Sequence, residues 1–189
     1  MIQRASPGPF SQTAFAVLPE EKMDPHKLYE CENTIGTKTT YQKGSADIDN
    51  KYEGICKGQA VVWCANMLRG VAPKLTKPSY DRAAALQVLY ERSADGGSQS
   101  MFAKASLSVA ANPQGNGQAL LGQIIGTPGV YQIRYTGHAL AAANVGGKYY
   151  FFDSEQGLFE YDSALDFTVK FFGGYNSNNY HEMWQLQAG

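Results

Sequence analysis

The sequence predicts an α+β fold, with N-terminal helices packed on a C-terminal antiparallel sheet. Three observations carry this expectation. Between Cys56 and Ala111 apolar residues recur at helical spacing. From Val130 onward they alternate with polar residues or form short apolar runs. Gly146-Gly147 then separates two such runs, which is a two-residue hairpin signal. Helices first and consecutive strands after is the α+β order, unlike the alternation that builds a parallel sheet. The 189 residues suit one domain.

Residues 1–50 carry Pro7, Pro9, Pro19 and Pro25 and end in the polar tract TIGTKTTYQKGSADIDN. They read as a loosely structured arm, with a short helix near Pro25–Glu32, and residues 51–189 as the folded domain. The run CKGQAVVWCANMLRG predicts a helix from Cys56 to Arg69, stopped by Gly70. Ser79 to Ala94 predicts a second helix, capped by Ser79 and ended by Gly96-Gly97. Ser98 to Ala111 predicts a third, ending before Asn112-Pro113, and residues 117–125 add a helical turn. Val130–Tyr135, His138–Val145, Lys148–Asp153 and Gly157–Tyr161 read as strands. Asp162–Phe172 suits a short helix capped by Asp162 or Ser163, and His181–Gln187 alternates as a last strand that closes the sheet.

Composition excludes several classes. Sixteen Lys and Arg against seventeen Asp and Glu give a net charge of −1, with no basic field for nucleic acid. Hydrophobic residues, at 43%, are too frequent for a disordered chain. No apolar run is long enough for a transmembrane helix, and the start of the chain lacks the apolar core of a signal peptide. Cys31, Cys56 and Cys64 form no disulfide framework and no CxxC, and no His pair stands at zinc spacing, so neither metal nor cofactor is expected.

Three residues stand out chemically. Cys56 opens a predicted helix, where unpaired N–H groups and the positive end of the helix dipole favour thiolate; a free cysteine is otherwise most often a buried apolar residue. His138 starts a strand of small alanines, open to approach by another group. Asp153 ends the next strand and alone would read as a turn residue. A hairpin turning at Gly146-Gly147 pairs Val145 with Lys148, which puts Asp153 opposite Leu140 and diagonal to His138 on one face. A one-residue slip would send Asp153 to the other face. Together the three make a nucleophile, a general base and acid, and a group that orients the imidazole. An oxyanion hole would draw on the Cys56 N–H and on Asn50, the one side-chain amide between residues 44 and 55, which reads equally well as a turn residue.

At the level of motifs, GICKGQAVVWCANML resembles the nucleophile segment of the YopT-type cysteine proteases, a papain-like clan of bacterial effectors. In that family a Gly-x-Cys opens a helix carrying a Trp several residues on, as Trp63 is here. GHALAAANVGGKYYFFDSEQGLFEY resembles the family's His–Asp segment. The likeness covers roughly residues 53–70 and 129–187; the first fifty residues and 71–128 match nothing in it. The resemblance implies a papain-like fold, with Cys56 as nucleophile, His138 as base and acid and Asp153 as orienter. It also implies secretion by a dedicated bacterial system and action in the target-cell cytoplasm on a host protein, with small GTPases and kinases among the family's substrates. A secretion chaperone would be a further partner. The arm 1–50 would serve as a secretion signal or a processed segment. A glutamine deamidase or other thiol amidase would use the same triad, and an inactive binding module on the same fold is the third reading, disfavoured because all three residues are present.

Overall fold

The computed structural model describes residues 27–29, 55–71, 77–93, 97–135, 137–174 and 180–189. Among the described residues the helices are α1 (Cys56–Leu68), α2 (Lys77–Arg92), α3 (Ser98–Lys104), α4 (Gly117–Gly126) and α5 (Ala164–Gly174). The strands are β1 (Lys27–Tyr29), β2 (Leu107–Ala111), β3 (Gly129–Tyr135), β4 (His138–Val145), β5 (Lys148–Asp153), β6 (Gly157–Tyr161) and β7 (Tyr180–Ala188). Among the described residues these strands form one sheet in the order β1-β6-β5-β4-β3-β7-β2, antiparallel at every step. The α+β expectation is met.

The β4–β5 hairpin fixes the register. Gly146 and Gly147 have φ of 64° and 79°, a pair of positive values that a tight hairpin turn requires and that glycine adopts without strain. Val145 therefore faces Lys148, and Leu140 faces Asp153. Strand alternation then sorts the side chains into two layers. Ala139, Ala141 and Ala143 join Phe152 and Trp184 beneath α1, α2 and α3. Leu140 and Ala142 join Phe151 and Met183 beneath Leu120 and Ile124 of α4 and Phe167 of α5. The small alanines of β4 let the backbone of α1 approach the sheet closely, and every residue from Lys57 to Ala65 is buried. Such a helix, covered on all sides, belongs at the centre of a fold. Trp63 stacks on Phe152 with ring centroids 5.6 Å apart, which fixes α1 against the strand that ends in Asp153.

Several boundaries differ from expectation. Lys27–Tyr29 is a strand paired with β6 where a helix near Pro25–Glu32 was expected; cross-strand pairing overrides local preference in so short a segment. The rest of residues 1–50 lies outside the described residues. The third helix stops at Lys104 instead of Ala111. Ser106 takes a positive φ of 59°, and the chain re-enters the sheet as β2, pairing with β7. As a result β7 does not close the sheet but lies inside it, between β3 and β2. The turn expected at 117–125 is a ten-residue helix whose Asn116 side chain accepts from the Ala119 N–H. Helix α2 begins two residues before Ser79, with Pro78 in its first turn, where the missing N–H costs nothing. At α5 the capping residue is Ser163: its Oγ accepts from the Asp166 N–H and donates to the Asp166 carboxylate.

Candidate active site

Cys56 is the first residue of α1, half-buried, and Ile55 before it supplies no side-chain cap. The first turn of a helix presents N–H groups without intrahelical partners. One of them, at Gly58, donates to the Gln87 Oε1 of α2 at 3.1 Å. Gln87 is itself oriented by donating to Glu91 at 2.8 Å. Gly58 is needed for this approach, because a Cβ there would lie 1.9 Å from the Ala83 carbonyl oxygen. The N–H of Cys56 itself lies at the helix start beside the thiol, where an oxyanion formed on attack by sulfur would develop.

His138 and Asp153 meet as diagonal neighbours of the β4–β5 ladder. The His138 Nε2 lies 2.9 Å from the Asp153 Oδ1. The Asp153 side chain is 2% exposed and that of His138 14%. Asp153 closes β5 and opens the turn to β6. Its Oδ1 also accepts from the Glu155 N–H at 2.8 Å, and its backbone carbonyl accepts from the Gln156 N–H at 3.2 Å. The turn role and the imidazole contact therefore coexist in one carboxylate. With Nε2 engaged, the ring nitrogen left for the thiol is Nδ1.

The parity of the strands places His138 and Asp153 on the side of Leu140, whereas α1 packs on the side of Ala139 and Ala141. His138 lies at the end of the sheet, where β4 begins and β5 ends, and Cys56 acts on its imidazole from the first turn of α1. Burial lowers the proton affinity of His138. Hydrogen bonds to Asp153 and to Cys56, and the charges of both, outweigh it and raise the pKa to about 10. The imidazole is therefore held as imidazolium across the neutral range, next to the sulfur. Such a set is suited to acyl transfer, with a cation ready to balance a thiolate and to protonate a leaving amine.

The other candidates differ. Cys64 is fully buried, its Sγ 3.7 Å from the Tyr131 carbonyl, and burial pushes its thiol well above the usual range. Cys31 and Asn50 lie outside the described residues, so the proposed side-chain donor of an oxyanion hole has no described position. His138, Asp153 and Glu155 bring potential metal-ligand atoms within 4.8 Å of one another. Of these atoms, the His138 Nε2 and the Asp153 Oδ1 are in contact with each other. Two features escaped the sequence reading. Gln87 holds the helix start from across α2, a contact without sequence periodicity. Lys57 is a lysine that is only 4% exposed in the first turn of a buried helix. Its signal was its place immediately after Cys56.

No protein-family model matches the chain, and no curated protein matches it by sequence. By fold, it is similar to the crystal structure of the Pseudomonas avirulence protein AvrPphB, with a TM-score of 0.54 and 15% identity. That likeness covers 78% of this chain and 99% of the other. A second similarity, with a TM-score of 0.46 and 17% identity, is to PatoxP, a cysteine protease-like domain of the Photorhabdus asymbiotica toxin PaTox; it covers 82% of this chain and 60% of that one. The papain-like α+β arrangement, with a buried helix laid across an antiparallel sheet, holds for this chain.

Proposed function

We propose that the chain is a cysteine protease of bacterial effector type, secreted and acting on a host protein through Cys56, His138 and Asp153. The observation that carries this reading is the 2.9 Å contact between His138 and Asp153, with the sulfur that opens α1 raising the proton affinity of the same imidazole. The effector part of the reading is supported by the fold shared with an avirulence protein. Residues 51–189 form the catalytic domain in this reading, and residues 1–50 a secretion signal or processed arm.

The chemistry runs through a thioester. His138 holds the proton taken from Cys56, and the thiolate so formed attacks the scissile carbonyl carbon. The N–H of Cys56 stabilises the oxyanion of the tetrahedral intermediate. As the carbon–nitrogen bond breaks, the imidazolium protonates the leaving amine. Water then gives a proton to His138 and attacks the thioester, and the second intermediate releases the acid and the Cys56 thiolate, with the proton left on His138. Asp153 keeps the ring oriented and balances its charge throughout.

Intact-mass analysis of candidate host proteins, incubated with the wild-type chain and with Cys56→Ala, tests the proposal. Chain scission by the wild type that disappears in Cys56→Ala is the expected result. A slight mass gain on an unbroken chain would assign the same thioester to glutamine deamidation. Products that survive Cys56→Ala would remove Cys56 from the reaction.

A further inference from the structure

We propose that Lys57 is a positioning residue for the nucleophile: its buried side chain, moored to Ser98 and Tyr90, holds the start of α1 and supplies, one residue from Cys56, a positive charge that favours the thiolate. This inference rests on the thiol-enzyme reading above. The Lys57 Nζ donates to the Ser98 Oγ at 2.8 Å, lies 3.6 Å from the centre of the Tyr90 ring and 5.2 Å from that of Trp184. One ammonium thus ties the first turn of α1 to α2, to the start of α3 and to β7.

Two general forces oppose a lysine here. A buried ammonium forfeits its hydration, and a cation in the first turn of a helix faces the positive end of the dipole. Among the described residues no carboxylate lies within ion-pairing distance of it. A charge kept against both forces, one residue from the nucleophile, fits a functional constraint better than a stabilising one. The surrounding groups agree. Burial and then Arg134 of β3 lower the Lys57 pKa to about 8, while Glu182 of β7, Cys56 and Glu91 of α2 act in the opposite direction. A positive charge one residue from the sulfur attracts the negative charge that develops there on deprotonation. Lys57 is 4% exposed and acts through Cys56 without touching substrate.

The test is the pH dependence of iodoacetamide alkylation at Cys56, followed by peptide mass mapping on the full chain. Wild type, Lys57→Met, Lys57→Arg and His138→Ala are compared from about pH 5 to about pH 9. Lys57→Met is expected to move the midpoint of alkylation upward by about half a pH unit or more, which is a threefold or greater loss of rate on the acid side. The maximal rate at high pH should be retained, and Lys57→Arg, which keeps the charge, should restore most of the acid-side rate. An unchanged midpoint in folded Lys57→Met, while His138→Ala shifts it, overturns the role of Lys57 and leaves the triad standing. If neither variant moves the midpoint, the triad reading fails as well. Should Lys57→Met not fold, Lys57→Gln carries the same comparison.

Discussion

Asp153 serves two donors with one oxygen: the Glu155 N–H at 2.8 Å and the His138 ring at 2.9 Å. Replacing it by alanine removes the partner of both, and leaves the His138 side chain, 14% exposed, without its carboxylate. Asp153→Ala is expected to lower turnover by about 10²–10⁴-fold, in keeping with a lost acid–base partner. It should also cost about 1–3 kcal/mol of stability, read by urea denaturation. Turnover within twofold of wild type would free Asp153 from the mechanism. The two described cysteines differ as sharply. Cys64 is buried with a raised pKa, whereas Cys56 is partly exposed beside an imidazolium. Iodoacetamide near neutral pH should modify Cys56 well before Cys64, and preferential labelling of Cys64 would contradict the environment assigned to each. The pairing of His138 with Asp153 was legible in the sequence, because Gly146-Gly147 fixes the hairpin and the count follows from it. Lys57 and Gln87 were not, since their partners come from elements distant in sequence.

Helix α1 is the element on which the site depends, and its position is set by close approach on both sides. Against α2 the approach is made by Gly58. An alanine there would ordinarily stabilise a helix by about 1 kcal/mol, but its Cβ would fall 1.9 Å from the Ala83 carbonyl oxygen. Gly58→Ala is therefore expected to destabilise, by about 1–3 kcal/mol, and to lower activity by displacing Cys56 and weakening the Gln87 contact. A melting temperature at or above that of wild type would show that the helices do not meet as described. Against the sheet the approach is made by Trp63 on Phe152, and Trp63→Ala should cost about 3–5 kcal/mol. Apolar periodicity and Gly70 gave the span of α1 within one residue. The same periodicity misread Leu107–Ala111 as helix, because five small and apolar residues carry no period of their own and the pairing with β7 decides their state. For the same reason the last strand was placed at the sheet's edge instead of inside it.

At the scale of the whole molecule, the α+β class and the strand order from β3 to β6 follow from turn glycines and alternation. The edge strands β1 and β2 follow only from tertiary pairing. The packing of helices on both faces of the sheet brings ionisable groups into a low-dielectric site and so links stability to pH. The folded pKa of His138 is raised from 6.5 to about 10, so protonation favours the folded state. That contribution is fully present below pH 6.5 and fades as pH rises through 10. The stability gap between wild type and His138→Gln should accordingly be larger near pH 6.5 than near pH 10; an equal gap at both would contradict the linkage. The coupling of imidazole, thiol and carboxylate is measured most directly by NMR titration of the His138 ring in wild type and in Cys56→Ala. The expected result is a pKa far above 6.5 in the wild type, toward 10, that falls clearly when the sulfur is removed. A ring that titrates near 6.5, or identically with and without the thiol, would contradict it.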